Sequence, residues 1–461
     1  MRSVTNLHTG LAIVVALIVV GCQAVSTDYE EEAADPEVLH DAHVQLTEVM
    51  IHDITDPPYA ARAYAYASIA AYETLAWGDD RYQSLAGQVH ELTEGPAPPV
   101  NEEGDVQDDV LLPLAAMQAY LTVAEDMVFT QIKMREHHEA VMESFQEKGV
   151  PSDVFEQSVA YGDEVASHIL EWAADDYYHE TRSYPRYNVT EDPSRWQPTP
   201  PTYHEAVEPH WNEIRPFVLE AADQFQSAPP VQYSMEEGSA FYEQVMEVYE
   251  AGKNLSEEEQ EIAAFWDCNP YALETMGHAK FAEKYQTPGG HWMDIATIAN
   301  RMQKADFMQS AATYAKTAIA LHDAFIASWD EKYRSNLVRP ETVINREVDR
   351  EWTPTLQTPP FPEYTSGHST ISAAAAEALT GLYGSFTYRD TSNVRFGLPD
   401  RTFDSFREAA EEAAVSRLYG GIHYTMANEA GALKGEQVGR YVRDQITLRV
   451  DSSDEEFTAT E

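Results

Sequence analysis

Three stretches near the C-terminus carry the residue types that an oxyanion needs. They are Lys332-Tyr-Arg-Ser-Asn-Leu-Val-Arg339-Pro340, Thr365-Ser366-Gly367-His368 and Ser416-Arg417-Leu-Tyr-Gly-Gly-Ile-His423. Two guanidinium forks and one ammonium can neutralise non-bridging oxygens. The amide N–H at Gly367 can donate without side-chain hindrance, and the run after it opens a helix whose N-terminus favours negative charge. One histidine can bond the central atom while the other moves protons on the opposite side. Taken singly, Lys332, Arg339 and Arg417 would be structural ion pairs with the many carboxylates. Taken together, they suit a tetrahedral or bipyramidal anion.

The order and spacing resemble the superfamily of vanadium-dependent haloperoxidases and type 2 phosphatidic acid phosphatases. Its pattern is Lys, six residues, Arg-Pro; then Pro-Ser-Gly-His; then Ser-Arg, five residues, His, three residues, Asp. The first block matches from Lys332 to Pro340, and the second from Ser366 to His368 with Thr365 in place of proline. The third matches from Ser416 to His423, but Ala427 stands where aspartate is expected. The resemblance implies vanadate bound axially through His423. Lys332, Arg339, Arg417, Ser366 and the Gly367 amide would hold its equatorial oxygens. His368 would handle the protons of hydrogen peroxide, Lys332 would withdraw charge from it, and halide attack would yield hypohalous acid.

The same cage also fits phosphate. In an exported acid phosphatase of this superfamily, His423 would attack phosphorus and His368 would protonate the leaving alkoxide. A third reading, from another class, is a non-catalytic helical lipoprotein that captures nutrients; it requires no convergence of the three blocks.

Two aromatics favour the peroxidase. Trp329 lies three residues before Lys332, and Phe361 seven before His368. Both positions resemble the aromatic wall beside the halide site of fungal-type chloroperoxidases, although a generic aromatic pair is more often simply core. An apolar wall strips water from a halide and makes it a better nucleophile. The missing aspartate at Ala427 would have oriented His423 and raised its basicity, so its absence weighs against a phosphohistidine route. Asn428 and Glu429 are neighbours that could substitute, and Asp267 could pair with one of the arginines by analogy with a buried acid in the resembled enzymes. The pairs His40/His43 and His137/His138 lack further ligands at metal spacing and read as surface histidines on amphipathic helices. Asn188-Val-Thr190 has a glycosylation form but means little in a bacterial lipoprotein.

The elements that must position these residues read as helices. Between Ser152 and Asp175, Phe155, Val159, Val165, Ile169 and Trp172 recur at helical spacing. Ser256-Glu-Glu-Glu259 has capping-box form. Ile371, Ala375, Leu379 and Leu382 make one face of a helix with Gly384 as its stop. No stretch alternates long enough for a strand-rich region. The expected class is all-α, and the resemblance implies two packed helical bundles. Prolines crowd residues 181–234, which predicts long irregular structure with one short helix around Trp211. This segment closes an N-terminal half, 37–235, ahead of a C-terminal half, 236–448, that bears the chemistry.

Composition bounds the rest. Seventy-eight acidic residues against 30 basic give a formal charge of −48, which repels nucleic acid. Positive charge is scarce, so its clustering at Lys332, Arg339 and Arg417 is informative. Arg2, the apolar run Leu11–Val20 and then Gly21-Cys22 resemble a bacterial lipoprotein signal, 1–21, with lipid on Cys22. The alternative is an ordinary signal peptide with an incidental cysteine. An acidic tether, 22–36, would follow as a disordered spacer, and an acidic tail spans 449–461. Gln23 favours the outer membrane under the usual sorting rule. With Cys22 lipidated, Cys268 has no disulfide partner.

Overall fold

The computed structural model describes residues 29–450 apart from 102–105, 108, 275–280 and 283–284. Cys22 and the tail from 451 lie outside the described residues. The chain runs through α1 (Tyr29–Ala33), α2 (Glu37–Asp53), α3 (Pro57–Ala76), α4 (Leu112–Asp126), α5 (Gln131–Glu147), α6 (Ser152–Ala174) and the short α7 (Tyr178–Thr181). It resumes as α8 (Ala240–Asn254), α9 (Glu257–Phe265), α10 (Pro288–Gln303), α11 (Phe307–Ser335), α12 (Pro340–Glu347), α13 (Gly367–Tyr383), α14 (Phe406–Tyr419) and α15 (Thr425–Gln445). Strand among the described residues is confined to two short antiparallel pairs, Leu273–Glu274 with Phe281–Ala282 and Tyr388–Asp390 with Arg401–Phe403. The fold is all-α, in packed bundles. Helices α3, α4 and α6 centre the first bundle, and α11, α13 and α15 the second. Because α3 lies along α11, one hydrophobic core runs through both halves.

Local signals explain the helix ends. In α9 both arms of the capping box form: Ser256 Oγ accepts from the Glu259 amide, and the Glu259 carboxylate accepts from the Ser256 amide. Helix α6 buries Val165, Ile169 and Trp172 on one face. Helix α13 stops at Gly384, where φ is 68°. The acidic segment after Cys22 is not wholly a disordered spacer. Within it α1 forms, Ala33 enters the core, and the Glu32 carbonyl accepts from Lys148 Nζ at 3.1 Å.

The proline-rich segment is irregular, with a single 3-10 turn at Trp211–Glu213. It is nevertheless bolted to α11. The Asp323 carboxylate accepts from the amides of Phe217, Val218 and Leu219 at 2.7, 2.8 and 3.0 Å. The Val207 carbonyl accepts from Trp329 Nε1 at 3.3 Å and Tyr333 Oη at 2.5 Å.

Glycines bring α15 against α13. Gly431, Gly435 and Gly439 repeat every four residues and so share a face. A Cβ on Gly435 would stand 2.0 Å from the Thr370 carbonyl oxygen, and one on Gly431 2.6 Å from that of Ser366. The two backbones therefore touch directly.

His40 and His43 correct the surface reading. Both are buried, because α2 turns this face toward α11 rather than toward water. His40 Nδ1 pairs with Tyr314 Oη at 2.6 Å, while His43 Nδ1 pairs with Tyr120 Oη at 2.7 Å and its ring stacks on Tyr314. His137 and His138 are half-buried, and His138 Nε2 donates to Gln118 Oε1. Among the described residues, no group of three or more His, Cys, Asp or Glu is placed to hold a metal ion. Burial, then His40, pushes His43 down to about 3. Its contribution to stability is whole above the ordinary value of 6.5 and is lost as pH falls toward the folded value. His43→Gln should therefore shrink the stability difference between pH 7 and pH 5 by about 2 kcal/mol, read from urea midpoints at both pH values.

Candidate active site

Five helix ends meet at one point. Lys332 occupies the last turn of α11, Arg339 the N-cap of α12, and Ser366 the N-cap of α13 with Gly367 and His368 in its first turn. Arg417 is in the last turn of α14, and His423 follows in the turn to α15. Gly421 makes that turn at φ 75°, a backbone conformation that side chains rarely adopt. A cavity of about 50 Å³ is lined by Gly367, His368, Arg417 and His423 on one side. Trp329, Phe361 and Phe325 form the other, apolar side. Trp329 and Phe361 pack with ring centroids 4.9 Å apart.

The cations are buried and held by main-chain oxygens. Lys332 Nζ donates to the carbonyls of Pro362, Glu363 and Thr365 at 3.0, 3.2 and 2.5 Å. All three of its donors are engaged, so it fixes the 362–365 loop and lends the cavity charge rather than a spare N–H. Arg339 donates to the Phe361 and Ile422 carbonyls at 2.9 and 2.8 Å, and its buried Nη2 has no hydrogen-bond partner. Arg417 donates to Ser416 Oγ and to the carbonyls of Trp266 and Asp267. Asp267 thus pairs with Arg417 as anticipated, its main-chain oxygen accepting from the guanidinium and its carboxylate charge favouring the cation against burial.

His423 is oriented by a residue that the motifs do not contain. Its Nδ1 donates to Glu363 Oε1 at 2.9 Å, and the Tyr424 amide donates to the same oxygen at 2.9 Å. That fixes the proton on Nδ1 and leaves Nε2 as an acceptor, facing Arg339 Nη1 at 2.9 Å. Glu363 takes the place of the aspartate expected at 427. Ala427 itself is buried, and its carbonyl accepts from the Ser366 amide at 3.0 Å. Neither Asn428 nor Glu429 serves His423. The clue available in sequence was an acid in the Pro-Pro-Phe-Pro-Glu363 run, three residues before Ser366, but nothing local ties it to an imidazole 60 positions away.

The electrostatics fit a multiply charged anion. Burial, then Arg339, holds Lys332 well below the usual lysine range, while Glu363 opposes the shift. Burial pushes Arg339 and Arg417 down to about 10. His423 is held well below 6.5 by burial and then by Arg339, Lys332, Arg417 and His368. Burial, Arg417 and His291 do the same to His368, whose Nε2 lines up with no hydrogen-bond partner. Three buried cations, of which Arg339 depresses Lys332, two neutral imidazoles and an unpartnered guanidinium nitrogen constitute a site that an oxyanion completes. Gly367 keeps its mouth clear: a Cβ there would stand 3.1 Å from Trp329 and 3.4 Å from Lys332 Cε.

The structure therefore brings together Lys332, Arg339, Ser366, Gly367, His368, Arg417, His423, Trp329 and Phe361. Ser366 Oγ is engaged within the cap, accepting from the Ser369 amide and hydroxyl at 3.3 and 2.8 Å.

Comparison with known proteins bears on the fold and the family. A family model described as the VCPO second helical-bundle domain matches residues 312–452. The chain is similar to a solved structure described as the first bacterial vanadium-dependent iodoperoxidase, at 46% identity and TM-score 0.85, covering 91% of this chain and 98% of that one. It shares its fold with a bacterial vanadium-dependent chloroperoxidase. The holo form gives 16% identity and TM-score 0.63, covering 85% of this chain and 92% of the other. The apo form gives 18% and 0.62, covering 84% and 93%. Comparison with curated proteins gives no match. The identity and near-complete coverage of the first of these place the chain among the vanadium-dependent haloperoxidases.

Proposed function

We propose that this protein uses vanadate and hydrogen peroxide to oxidise halide to hypohalous acid, with iodide its preferred halide. The observation that carries the reading is the convergence of Arg417 and two neutral imidazoles on a cavity whose opposite wall is aromatic, with buried Arg339 bonded to His423 and buried Lys332 to the 362–365 carbonyls behind it. That convergence also removes any reason to read a capture protein. Iodide is supported by the 46% identity to a bacterial iodoperoxidase. It also gives up water to an apolar wall most readily among the common halides.

His423 Nε2 would hold vanadium, and Arg339, Arg417, the Gly367 amide, Ser366 and the charge of Lys332 would hold its oxygens. Bound vanadate supplies a Lewis acid that makes hydrogen peroxide electrophilic. His368 is neutral, and its free Nε2 accepts a proton from peroxide as peroxide enters. Trp329, Phe361 and Phe325 exclude water from the approaching halide. Glu363 keeps His423 in the tautomer whose Nε2 carries a lone pair, which Arg339 Nη1 meets in this structure. Glu363→Gln keeps the size but loses the charge, and should weaken vanadate binding roughly 10- to 100-fold, read by titrating halogenation against vanadate.

Glu363 also gives a phosphohistidine route the orienting carboxylate that Ala427 denied it, so the phosphatase remains the second reading. Metal analysis and phenol-indicator halogenation after vanadate loading test the two together. Vanadium uptake with iodination is expected. Aryl phosphate hydrolysis without any halogenation overturns the peroxidase.

The apolar run ending in Gly21-Cys22 supports export as a lipoprotein of a bacterial outer membrane. Among the described residues no helix is long and apolar enough to cross a membrane. Palmitate labelling in a bacterial host should occur and vanish in Cys22→Ser; an unlabelled, freely soluble wild-type chain overturns the anchor.

A further inference from the structure

Beside the oxyanion cavity lies a second constellation that the peroxidase reading does not use. Cys268 lines the cavity and is 5% exposed. Its Sγ lies 3.4 Å from His291 Nδ1, and His291 Nε2 lies 2.8 Å from Asp390 Oδ2. Asp390 is fixed in turn by the Ser392 amide and hydroxyl at 3.0 and 2.6 Å. His291 and Asp390 are fully buried, with the imidazole stacked on Trp266 at 4.5 Å. Three elements distant in sequence thus build a thiol–imidazole–carboxylate line whose sulfur end opens onto a cavity.

Two further observations set it apart from a core cysteine with a chance hydrogen bond. Cys268 has φ 45°, a conformation costly for a side-chain-bearing residue, and Arg417 holds the preceding carbonyls of Trp266 and Asp267. The same cavity contains His368, buried and with Nε2 unpartnered, so whatever is made or handled there meets the sulfur. Burial works against charge on His291, but Asp390 and then Cys268 outweigh it and raise the imidazole to about 10.

We propose that Cys268, His291 and Asp390 form a thiol site that takes electrophilic halogen from hypohalous acid made in the adjoining cavity. The proton that sulfur gives up is held on His291 Nδ1, with Asp390 holding the Nε2–H. Sulfur attacks the halogen, the halogen–oxygen bond breaks, and hydroxide leaves as water on taking the proton back. The products are a sulfenyl halide and water. Attack of water on that sulfur forms an S–O bond and expels halide, giving sulfenic acid, halide and a proton. Sulfur is oxidised by two electrons and the halogen reduced by two.

The inference rests on the peroxidase reading for its source of oxidant, so the test supplies the oxidant both ways. Full-length protein is treated with aqueous iodine, without vanadate. In parallel, vanadate-loaded protein turns over hydrogen peroxide and iodide. After each reaction is quenched and the protein denatured in the presence of the reagents, peptide mass spectrometry follows alkylatable Cys268 and its dimedone-trapped sulfenic acid, with Cys268→Ala as the blank. In both arms Cys268 should be consumed before the methionines oxidise, and His291→Gln, checked for folding, should react at least tenfold more slowly. Consumption with aqueous iodine alone supports the thiol site while discarding the peroxidase. Cys268 that stays alkylatable under iodine in excess overturns the site, as does equal consumption by peroxide without halide.

Discussion

His423→Ala is expected to abolish vanadium uptake and halogenation together while leaving the fold intact. The histidine is the meeting point of the cage: Nδ1 is tied to Glu363, Nε2 faces Arg339, and the ring lines the cavity. Its loss removes the nitrogen that would bond the metal, so the defect should exceed the roughly 10- to 100-fold that losing a supporting partner costs. The surroundings do not depend on the ring. Arg339 keeps the Phe361 and Ile422 carbonyls, and Glu363 keeps the Tyr424 amide. A thermal midpoint near that of wild type, with no vanadium by metal analysis, is the expected pair of results. Vanadium bound at wild-type affinity would remove His423 from the site.

Gly435→Ala should be the most damaging small substitution for stability. The new methyl would lie 2.0 Å from the Thr370 carbonyl oxygen and 2.8 Å from Ala373 Cβ. The nearest obstacle is main chain in the first turn of α13, so no rotamer change relieves it and α13 must part from α15. Overpacking costs roughly 1–3 kcal/mol, and a backbone clash belongs at the upper end or beyond. Activity should fall with stability, because Ser366, Gly367 and His368 ride on the same helix end. Calorimetry and a vanadate titration on one preparation check both halves; an unchanged midpoint would mean that the helices do not touch as described.

The motif residues were legible because each stands at a helix end, where charge and spacing do the positioning locally. Glu363 was not, since its partner is supplied by the turn after α14 and only the fold brings them together. Ala427 drew attention to the right deficiency and to the wrong neighbours. The four-residue glycine spacing in α15 was open to reading, yet its meaning depends on which helix lies opposite. His40 and His43 were misplaced because a helix pattern tells which residues share a face and not what that face meets. The proline-rich segment was read correctly as irregular, but its attachment to α11 through Asp323 has no sequence signature.

The size of the cavity has a chemical consequence. A space of about 50 Å³ admits peroxide, a halide or hypohalous acid, whereas pockets that enclose an organic molecule run to roughly 300–1,000 Å³. Val207 and the 217–219 amides hold the proline-rich segment to α11, so the wall beside Trp329 is tied rather than hinged. On the proposed chemistry, carbon–halogen bonds should form outside the cavity, and chiral analysis of a halogenated prochiral alkene should find a racemate with the regiochemistry of the free reagent.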